Sequence, residues 1–399
     1  MSEAFLHVPA GDHNPYEPVG WARFPLEPFA DEPFRVGVKT DAPFETVEAE
    51  WESGSAVGAT ALQHEAGAWI GLIGPMAGPG RYRFVGRASD GEPARSEWHH
   101  LDVPVWRPVR FSSISEVSDG LVVGADDVAL HLSLRARSLA WSLQTEPPVE
   151  VGSRAGSLGD WRCNLEVEDR VSLNKDDLTL VVWAERAVAG AQTRAWRLAW
   201  ALDAGERLFG TGERFDSLDQ RGHRPDMRVY EQYKGQGSRT YFPVPWLIST
   251  GGYGLAVDGA DRNVFDLGAS DAGTATLTIP SATASGRWYV GGPAELLRDY
   301  TADLGTRKTM PMWAYGPWMS ANEWNSQARV EEVVERTFAE DVPASVLVIE
   351  AWADEATFYL WNDTAYEPVD GAEPVPVEAM RHTGRWPDPR AMTERLHQQ

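Results

Sequence analysis

The stretch Trp196-Arg197-Leu198-Ala199-Trp200-Ala201-Leu202 decides the fold of the central part of this chain. Large apolar side chains recur at every second position, so an extended strand places both tryptophans and both leucines on one face. The segments 128–134 and 178–183 repeat this alternation, and no helical period is sustained between about residues 109 and 289. The pattern predicts a large β-sandwich in this region.

A smaller set of alternating segments precedes the central region. Short apolar runs separated by Gly, Pro and Asp extend from Gly20 to about Pro104, for example at 34–38 and 82–85. This spacing predicts an all-β sandwich of roughly immunoglobulin size. The proline-flanked segment 104–108 is predicted to be a short, stiff linker between the two sandwiches.

The pattern changes to an α/β order in the last part of the chain. The predicted elements are a strand at 312–319, a helix at 327–340, a strand at 345–349 and a helix that begins near 387. Asn325 or Ser326 is the expected N-cap of the first of these helices. The continuous apolar run of the second strand is typical of a strand buried on both faces. Strand, helix, strand, helix is the order of a parallel α/β unit.

Composition excludes several classes of partner. The chain has 36 Lys and Arg against 59 Asp and Glu, a formal net charge of −23, so we expect neither a nucleic-acid nor a membrane partner. One cysteine, Cys163, permits neither an internal disulfide nor a cysteine metal cluster. The first residues lack a basic segment followed by an apolar run, so they do not resemble a secretory signal. We therefore expect a cytoplasmic protein without a bound metal or cofactor.

Four segments carry recognisable motifs. They are LFGTGERFDSL at 208–218, YVGGPAELLRDYT at 289–301, PMWAYGPWMS at 311–320 and RWPDPRAMTERLH at 385–397. In this order and at this spacing, they resemble signatures of glycoside hydrolase family 31, the retaining α-glycosidases that act on α-glucosides, α-xylosides and related sugars. Trp386 stands where the family carries Phe, and the chain before residue 110 has no such signature.

The patterns and the resemblance together divide the chain into three parts. Residues 1–106 are expected to form the immunoglobulin-like sandwich, and residues 107–295 the galactose-mutarotase-like β-sandwich of the family. Residues 296–399 are expected to form the first two β/α units of a (β/α)₈ TIM barrel, which takes about 250 residues when complete. The resemblance places the Asp nucleophile after the fourth barrel strand and the Asp acid/base after the sixth. We therefore assign no catalytic residue within this chain.

Two segments resemble the nucleophile motif of the family only superficially. Residues 352–355 and 361–363 each combine Trp with a nearby Asp, but both follow the second predicted strand rather than the fourth. We expect neither to supply the nucleophile. In the sandwich motif, Glu213 and Arg214 are expected to form a fixed ion pair.

Seven residues are candidate substrate ligands. They are Glu350, Trp318, Trp352, Trp361, Asp354, Tyr230 and Glu231. Glu350 ends the second predicted strand, where the family carries an Asp that binds sugar hydroxyls; pairing with a neighbouring loop or an arginine is the alternative role. The three tryptophans offer ring faces that suit either a pyranose or a hydrophobic core. Tyr230 and Glu231 lie in a long loop that, in the family, shapes the pocket for the terminal sugar.

Two classes of function stay open. The chain is either the N-terminal part or subunit of a retaining α-glycoside hydrolase, or a non-catalytic carbohydrate-binding or regulatory protein. In the first case an oligosaccharide is the substrate. A complementing chain or a homo-oligomer is then expected to cover the exposed barrel strands, because an uncovered strand edge invites pairing. A sugar epimerase would need a catalytic His/Glu pair, which we do not identify. The sequence also lacks the phosphate-binding glycine loop and the G-x-S-x-G elbow.

Overall fold

The computed structural model describes residues 4–11, 19–30, 32–89, 91–147, 152–167, 169–230, 235–305, 308–353, 359–367 and 376–399. The chain divides into two compact units, Met1–Thr306 and Arg307–Gln399. The first unit consists mainly of antiparallel strands around two large hydrophobic cores. The prediction of a mainly β structure is confirmed for this unit.

The N-terminal part of the first unit contains two antiparallel sheets. Their strands are β1 (Phe5–Leu6), β2 (Phe34–Thr40), β3 (Thr46–Ser53), β4 (Ala56–Ala61), β5 (Gln63–Glu65), β6 (Ala68–Ile73), β7 (Gly80–Arg87), β8 (Ala94–Arg95) and β9 (His99–Leu101). The strand orders are β1-β2-β6-β5 and β4-β3-β7-β8, and β9 also pairs with β7. Side chains from both sheets meet in one core, where Phe34, Tyr82 and Phe84 are fully buried. The immunoglobulin-like connectivity stays a prediction.

The rest of the first unit contains two larger sheets. Their strands are β10 (Val105–Pro108), β11 (Ser113–Val117), β12 (Gly120–Gly124), β13 (Val128–Leu134), β14 (Leu139–Thr145), β15 (Ala155–Leu158), β16 (Trp161–Leu165), β17 (Val171–Lys175), β18 (Leu178–Ala189), β19 (Gln192–Ala201), β20 (Leu208–Gly210), β21 (Trp246–Ser249), β22 (Tyr253–Val257), β23 (Val264–Leu267), β24 (Thr274–Ile279) and β25 (Ala284–Val290). One sheet has the order β15-β16-β17-β18-β19-β24-β23, with β10 on β18. The other has the order β11-β12-β13-β14-β25-β22-β21-β20.

The alternating face of residues 196–202 is buried as its spacing predicts. Trp196 and Trp200 are completely buried, and Trp200 meets Trp288 of the opposite sheet edge to face, with ring centroids 5.7 Å apart. Each buried aromatic removes a large apolar area from water, so these rings contribute strongly to the core that joins the two large sheets.

Residues 104–108 correct one expectation, because they are not a free linker. Strand β10 pairs with β18 from Val105 opposite Val188 to Pro108 opposite Glu185. The Trp106 ring also packs against Phe29, with ring centroids 4.8 Å apart. Proline is tolerated at the end of an edge strand, where its missing N–H breaks no central ladder. The two prolines therefore bound a strand rather than a spacer.

Helix α1 (Pro293–Asp303) packs on the sheet that contains β21, β22 and β25. The rings of Tyr300 and Trp246 stack face to face, with centroids 4.0 Å apart and planes 2° from parallel. Tyr289 donates a hydrogen bond of 2.9 Å to the carboxylate of Asp303 at the end of the helix. These contacts explain why α1 belongs to the first compact unit.

The second unit contains a parallel strand pair and two helices. Its described elements are a 3₁₀ turn (Met312–Tyr315), β26 (Trp318–Ser320), α2 (Gln327–Ala339), β27 (Val346–Val348), 3₁₀ turns at Glu350–Trp352 and Val377–Ala379, and α3 (Pro389–His397). Strands β26 and β27 pair in parallel, with Met319 opposite Leu347. The order strand, helix, strand, helix agrees with the predicted α/β unit.

The strand predicted at 312–319 is wrong over its first half. Residues Met312–Tyr315 form a 3₁₀ turn, closed by the Ala314 N–H to the Pro311 carbonyl at 3.0 Å. Pro311 and Pro317 flank this segment, and each proline removes one N–H that a strand ladder would need. Only Trp318–Ser320 forms the strand.

The N-cap of helix α2 is Ser326, one of the two expected residues. Its hydroxyl accepts a hydrogen bond of 3.3 Å from the Arg329 N–H, which satisfies a donor of the first turn. Val330 of this helix packs with Trp386 and Met392, and all three are completely buried. Trp386 thus sits at the centre of the hydrophobic core of the second unit.

Candidate functional site

The carboxyl ends of the two parallel strands carry a polar pair. Ser320 is the last residue of β26, and its hydroxyl donates a short hydrogen bond to the carboxylate of Glu350, two residues after β27. Both side chains are exposed. In parallel β/α architectures, ligands bind at the carboxyl ends of the strands. The pair therefore marks the candidate site of the second unit.

Sequence reasoning singled out Glu350 but not its partner. Ser320 is the last residue of the motif PMWAYGPWMS. The feature that identifies it as the partner of Glu350 is the register of the parallel strand pair. Ser320 lies opposite Val348, so a residue just beyond β27 comes within reach of the serine hydroxyl. The hydrogen bond orients one oxygen of Glu350 and leaves the carboxylate accessible for hydroxyl groups of a ligand.

Trp318 begins strand β26, although it was expected at the end of that strand. Because side chains alternate along a strand, Trp318 and Ser320 lie on the same face of the sheet. The Trp318 indole N–H donates to the Ala314 carbonyl at 3.2 Å, and 57% of the residue is exposed. An anchored indole with an exposed ring suits stacking on an apolar sugar face.

The rings of Trp352 and Trp361 contact each other, so they do not form two separate stacking surfaces. Their ring centroids are 5.2 Å apart, and Trp361 also meets Trp386 at 4.8 Å. Both rings are partly buried against the hydrophobic core of the second unit. The hydrophobic core therefore covers part of each ring, and only the exposed remainder is available to a ligand.

The loop after residue 360 is tied to the end of strand β27. The Asn362 N–H donates to the Trp352 carbonyl at 2.8 Å, and the Asn362 side chain donates to the Ala351 carbonyl at 3.2 Å. These bonds fix the 3₁₀ turn that begins at Glu350. The loop thereby positions Glu350, the candidate substrate-binding residue, without contacting its side chain.

The carboxylate of Asp363 is engaged by an arginine. Arg385 donates to it from Nε at 3.0 Å and from Nη2 at 3.2 Å, and the Arg385 backbone N–H adds a bond of 2.9 Å. These hydrogen bonds from Arg385 lower the pKa of the Asp363 carboxyl. The neighbouring Gly384 has φ +61°, and a Cβ there would lie 2.5 Å from Oδ2 of Asp363. Asp363 thus ties the loop after Trp361 to Arg385, and the expectation that it is no nucleophile stays a prediction.

Tyr230 belongs to the first unit and is buried. Its backbone N–H donates to the Thr240 carbonyl at 2.8 Å, and the Arg239 guanidinium lies 3.5 Å from its ring centroid. These contacts hold Tyr230 within the first unit. Two further candidates, Glu231 and Asp354, lie outside the described residues.

The predicted ion pair between Glu213 and Arg214 is wrong. Arg214 instead donates to three backbone carbonyls, those of Thr211 at 3.1 Å, Ser238 at 2.9 Å and Asp226 at 2.9 Å. Burial lowers the pKa of this guanidinium, although nearby carboxylates oppose the effect. A planar donor with five N–H groups can tie together three loop segments, which a single carboxylate partner would not achieve.

In the described ranges, no group of three or more His, Cys, Asp or Glu side chains could hold a metal ion. No described helix combines the length and the apolar character that crossing a membrane requires.

Comparison with known proteins identifies the family. The model of the glycosyl hydrolase 31 N-terminal galactose mutarotase-like domain matches residues 84–266, and that of the glycosyl hydrolases family 31 TIM-barrel domain matches residues 307–399. The 1,3-alpha-isomaltosidase of Kribbella flavida is 28% identical over 98% of this chain and 50% of its own length. The isomaltosyltransferase of Sporosarcina globispora is 32% identical over 202 residues, which are 49% of this chain and 18% of that protein.

Solved structures show the same fold. The cycloalternan-degrading enzyme from Trueperella pyogenes is 25% identical with a TM-score of 0.63, over 99% of this chain and 50% of that one. The cycloalternan-forming enzyme from Listeria monocytogenes is 22% identical with a TM-score of 0.71, over 99% of this chain and 42% of that one. The chain belongs to glycoside hydrolase family 31. It spans about half the length of the Kribbella isomaltosidase, which matches it almost from end to end.

Proposed function

We propose that this chain is the N-terminal part or subunit of a retaining α-glycoside hydrolase that acts on α-linked glucose oligosaccharides. Under this proposal, Glu350 binds sugar hydroxyls and Trp318 stacks on a sugar ring. The nucleophile and the acid/base Asp lie on sequence outside these 399 residues. The observation that carries the proposal is the parallel pair β26 and β27, with the Ser320–Glu350 hydrogen bond at its carboxyl end.

The partial exposure of strand β27 supports the presence of further barrel strands beside it. Val346, Leu347 and Val348 form a continuous apolar run of the kind that parallel sheets bury on both faces. All three are only partly buried here, and β26 is the strand to which β27 pairs among the described residues. Further barrel strands, from the same gene or from a complementing chain, would cover these side chains and complete the ladder.

The proposed substrate class draws on the relatives. The names of the Kribbella protein and the Trueperella enzyme concern isomaltose-type and cycloalternan sugars, and one Trueperella structure holds isomaltose. The carboxylate of Glu350 suits such sugars, because carboxylate oxygens accept hydrogen bonds from neutral hydroxyls. Each such bond to a charged group contributes about 1.5–3 kcal/mol.

Reconstitution tests this proposal directly. The chain is mixed with the polypeptide encoded immediately downstream, and hydrolysis of isomaltose and of a chromogenic α-glucoside is measured for each part and for the mixture. We expect hydrolysis only in the mixture. Full activity of the isolated chain would show that its catalytic pair lies within these residues. Oligosaccharide binding without turnover in the mixture would favour the non-catalytic alternative.

Variants of the strand-end pair test the assigned ligand. In the reconstituted enzyme, E350Q is expected to weaken kcat/KM about ten- to a hundredfold, because a charged acceptor is lost. S320A keeps the charge and removes one donor, so a loss of about two- to tenfold is expected. The control E340Q removes an exposed carboxylate that pairs with Arg336 on helix α2. Equal effects of E350Q and E340Q would contradict the role of Glu350.

A further inference from the structure

A cavity of about 670 Å³ lies within the first unit. One wall includes Phe24, Leu26, Phe29 and Glu32, and the other is formed by residues of strands β19, β23 and β24 and by loop residues at 224–228 and 262. Its volume falls in the range of small-molecule sites, about 300–1,000 Å³. Leu26, Val264 and Pro280 give it an apolar lining beside its charged groups.

The lining of this cavity is rich in arginine. Among the described residues, five arginines and three carboxylates line it: Arg194, Arg197, Arg224, Arg228, Arg262, Glu27, Glu32 and Asp226. The whole chain, by contrast, carries a formal net charge of −23. Carboxylates pair with Arg197, Arg224 and Arg262, and two of these carboxylates, Glu185 and Asp266, stand outside the lining. The charge that attracts an anion into the cavity is therefore that of Arg194, which lies beside its apolar walls.

Several of these arginines are held in place by neighbours. Arg262 contacts Asp226 through Nε at 3.0 Å, and its guanidinium lies 5.2 Å from the ring centroid of Phe24. Arg224 pairs with Glu32 at 3.0 Å, across the two walls of the cavity. Such pairs fix the geometry of the cavity before a ligand arrives, which lowers the entropy lost on binding.

Arg194 differs from the other arginines because it sits on a β-bulge. Ala187 of β18 lies opposite Ala195 of β19, whereas Val188 lies opposite Thr193, so Arg194 is the extra residue. A bulge redirects a side chain, and bulges are frequent beside active and binding sites. The guanidinium is exposed, lines the cavity and has no hydrogen bond or ion pair within the described part of the chain.

We propose that this cavity is a second ligand site, which binds the phosphate or carboxylate group of a small organic molecule. Arg194 contacts the oxyanion, and the apolar lining accepts the rest of the ligand. The planar, permanently charged guanidinium matches both kinds of oxyanion. The inference does not depend on the proposed glycosidase activity, because it uses other residues and other ligands.

Calorimetric titration of the full chain tests the site with three probes of one size class. Phenyl phosphate carries a phosphate, benzoate a carboxylate and benzyl alcohol no charge, and none of them is a sugar. We expect at least one of the two anions to bind with millimolar affinity or better and to bind more weakly at high ionic strength, whereas benzyl alcohol does not bind. Binding of only one anion identifies the oxyanion that the cavity prefers. Binding of benzyl alcohol as tightly as the anions would overturn the proposal, and so would the absence of anion binding at millimolar concentration.

Three variants separate a site from general charge effects. R194Q is expected to weaken anion binding about tenfold or more, because a charged hydrogen bond is lost. E27Q removes an exposed carboxylate from the lining and is expected to strengthen anion binding, an effect that a folding defect cannot mimic. The control R207Q removes an exposed arginine that pairs with Asp219 and does not line the cavity. Equal weakening by R194Q and R207Q would overturn the proposal.

Discussion

The imidazole of His7 is expected to make the N-terminal sheets sensitive to acid. Its Nδ1 lies 2.7 Å from the Gly37 carbonyl and 2.9 Å from the Trp21 carbonyl, so this nitrogen carries the proton. Its Nε2 lies 2.8 Å from the Tyr82 hydroxyl and accepts its hydrogen bond. All hydrogen-bonding positions of the neutral ring are thus used. Burial, opposed by the carbonyls and assisted by His99 and Arg23, lowers the pKa of His7 to about 4.

The sign and size of the effect follow from this pKa. The unfolded chain binds a proton near pH 6.5, whereas the folded chain resists it down to about pH 4. Between these values the unfolded state holds more protons, so the free energy of unfolding falls as the pH falls. The full contribution of neutral His7 to the free energy of unfolding is present above pH 6.5. About 3 kcal/mol of it is lost on acidification to pH 4, since one pKa unit corresponds to about 1.4 kcal/mol.

Urea unfolding at a series of pH values measures this contribution. Circular dichroism follows unfolding from pH 7.5 to pH 4, and amide hydrogen exchange in β2 localises it to the N-terminal sheets. In H7Q the loss of stability over this range is expected to be about 3 kcal/mol smaller than in the wild type. H64Q, which removes an exposed imidazole from β5, serves as the matched control. Parallel curves for wild type and H7Q would refute the reasoning.

Three further outcomes are expected. W386A should destabilise the second unit by about 3–5 kcal/mol, because it removes a completely buried ring. W386F should stay within about 1 kcal/mol of the wild type, because its loss of packing is offset by removal of a buried indole N–H without a partner among the described residues. Hydrogen exchange in α2 measures both variants, and equal losses of stability would contradict this account. G384A should loosen the Asp363–Arg385 contact by about 1 kcal/mol and speed proteolysis of the loop, since φ is +61° there. Cys163, whose burial raises its thiol pKa to about 12, should react with Ellman's reagent only after denaturation.

Strands and helix bounds were accessible from the sequence where local rules act alone. The alternation at 196–202 gave a buried face because period-two patterns determine which side of a sheet is apolar. Helix α2 begins after Ser326, since a hydroxyl at the N-cap satisfies a free N–H of the first turn. The parallel pair β26 and β27 followed from the order of elements. The first two features depend on neighbours within a few residues, and the third on the order of the elements along the chain.

Features that depend on distant partners were missed. Residues 104–108 become a strand only because β18 offers them an edge, and Arg214 chooses three carbonyls that come from separate loops. The hydrogen bond from Ser320 to Glu350 joins the end of β26 to the turn that follows β27. Likewise, the arginine-lined cavity combines residues from positions 10 to 280. No pattern of neighbouring residues in the sequence predicts such groupings.

The pairing of β14 with β25 has a consequence for how the chain is made. Leu139 lies opposite Trp288, so one of the large sheets stays incomplete until almost 290 residues have left the ribosome. The N-terminal sheets, by contrast, are complete at Leu101. At about 5–20 residues per second, roughly 10–40 s separate these two points. During this interval the apolar face of β11–β14 lacks its partner strands, so the newly synthesised chain is exposed to aggregation until β25 has been made.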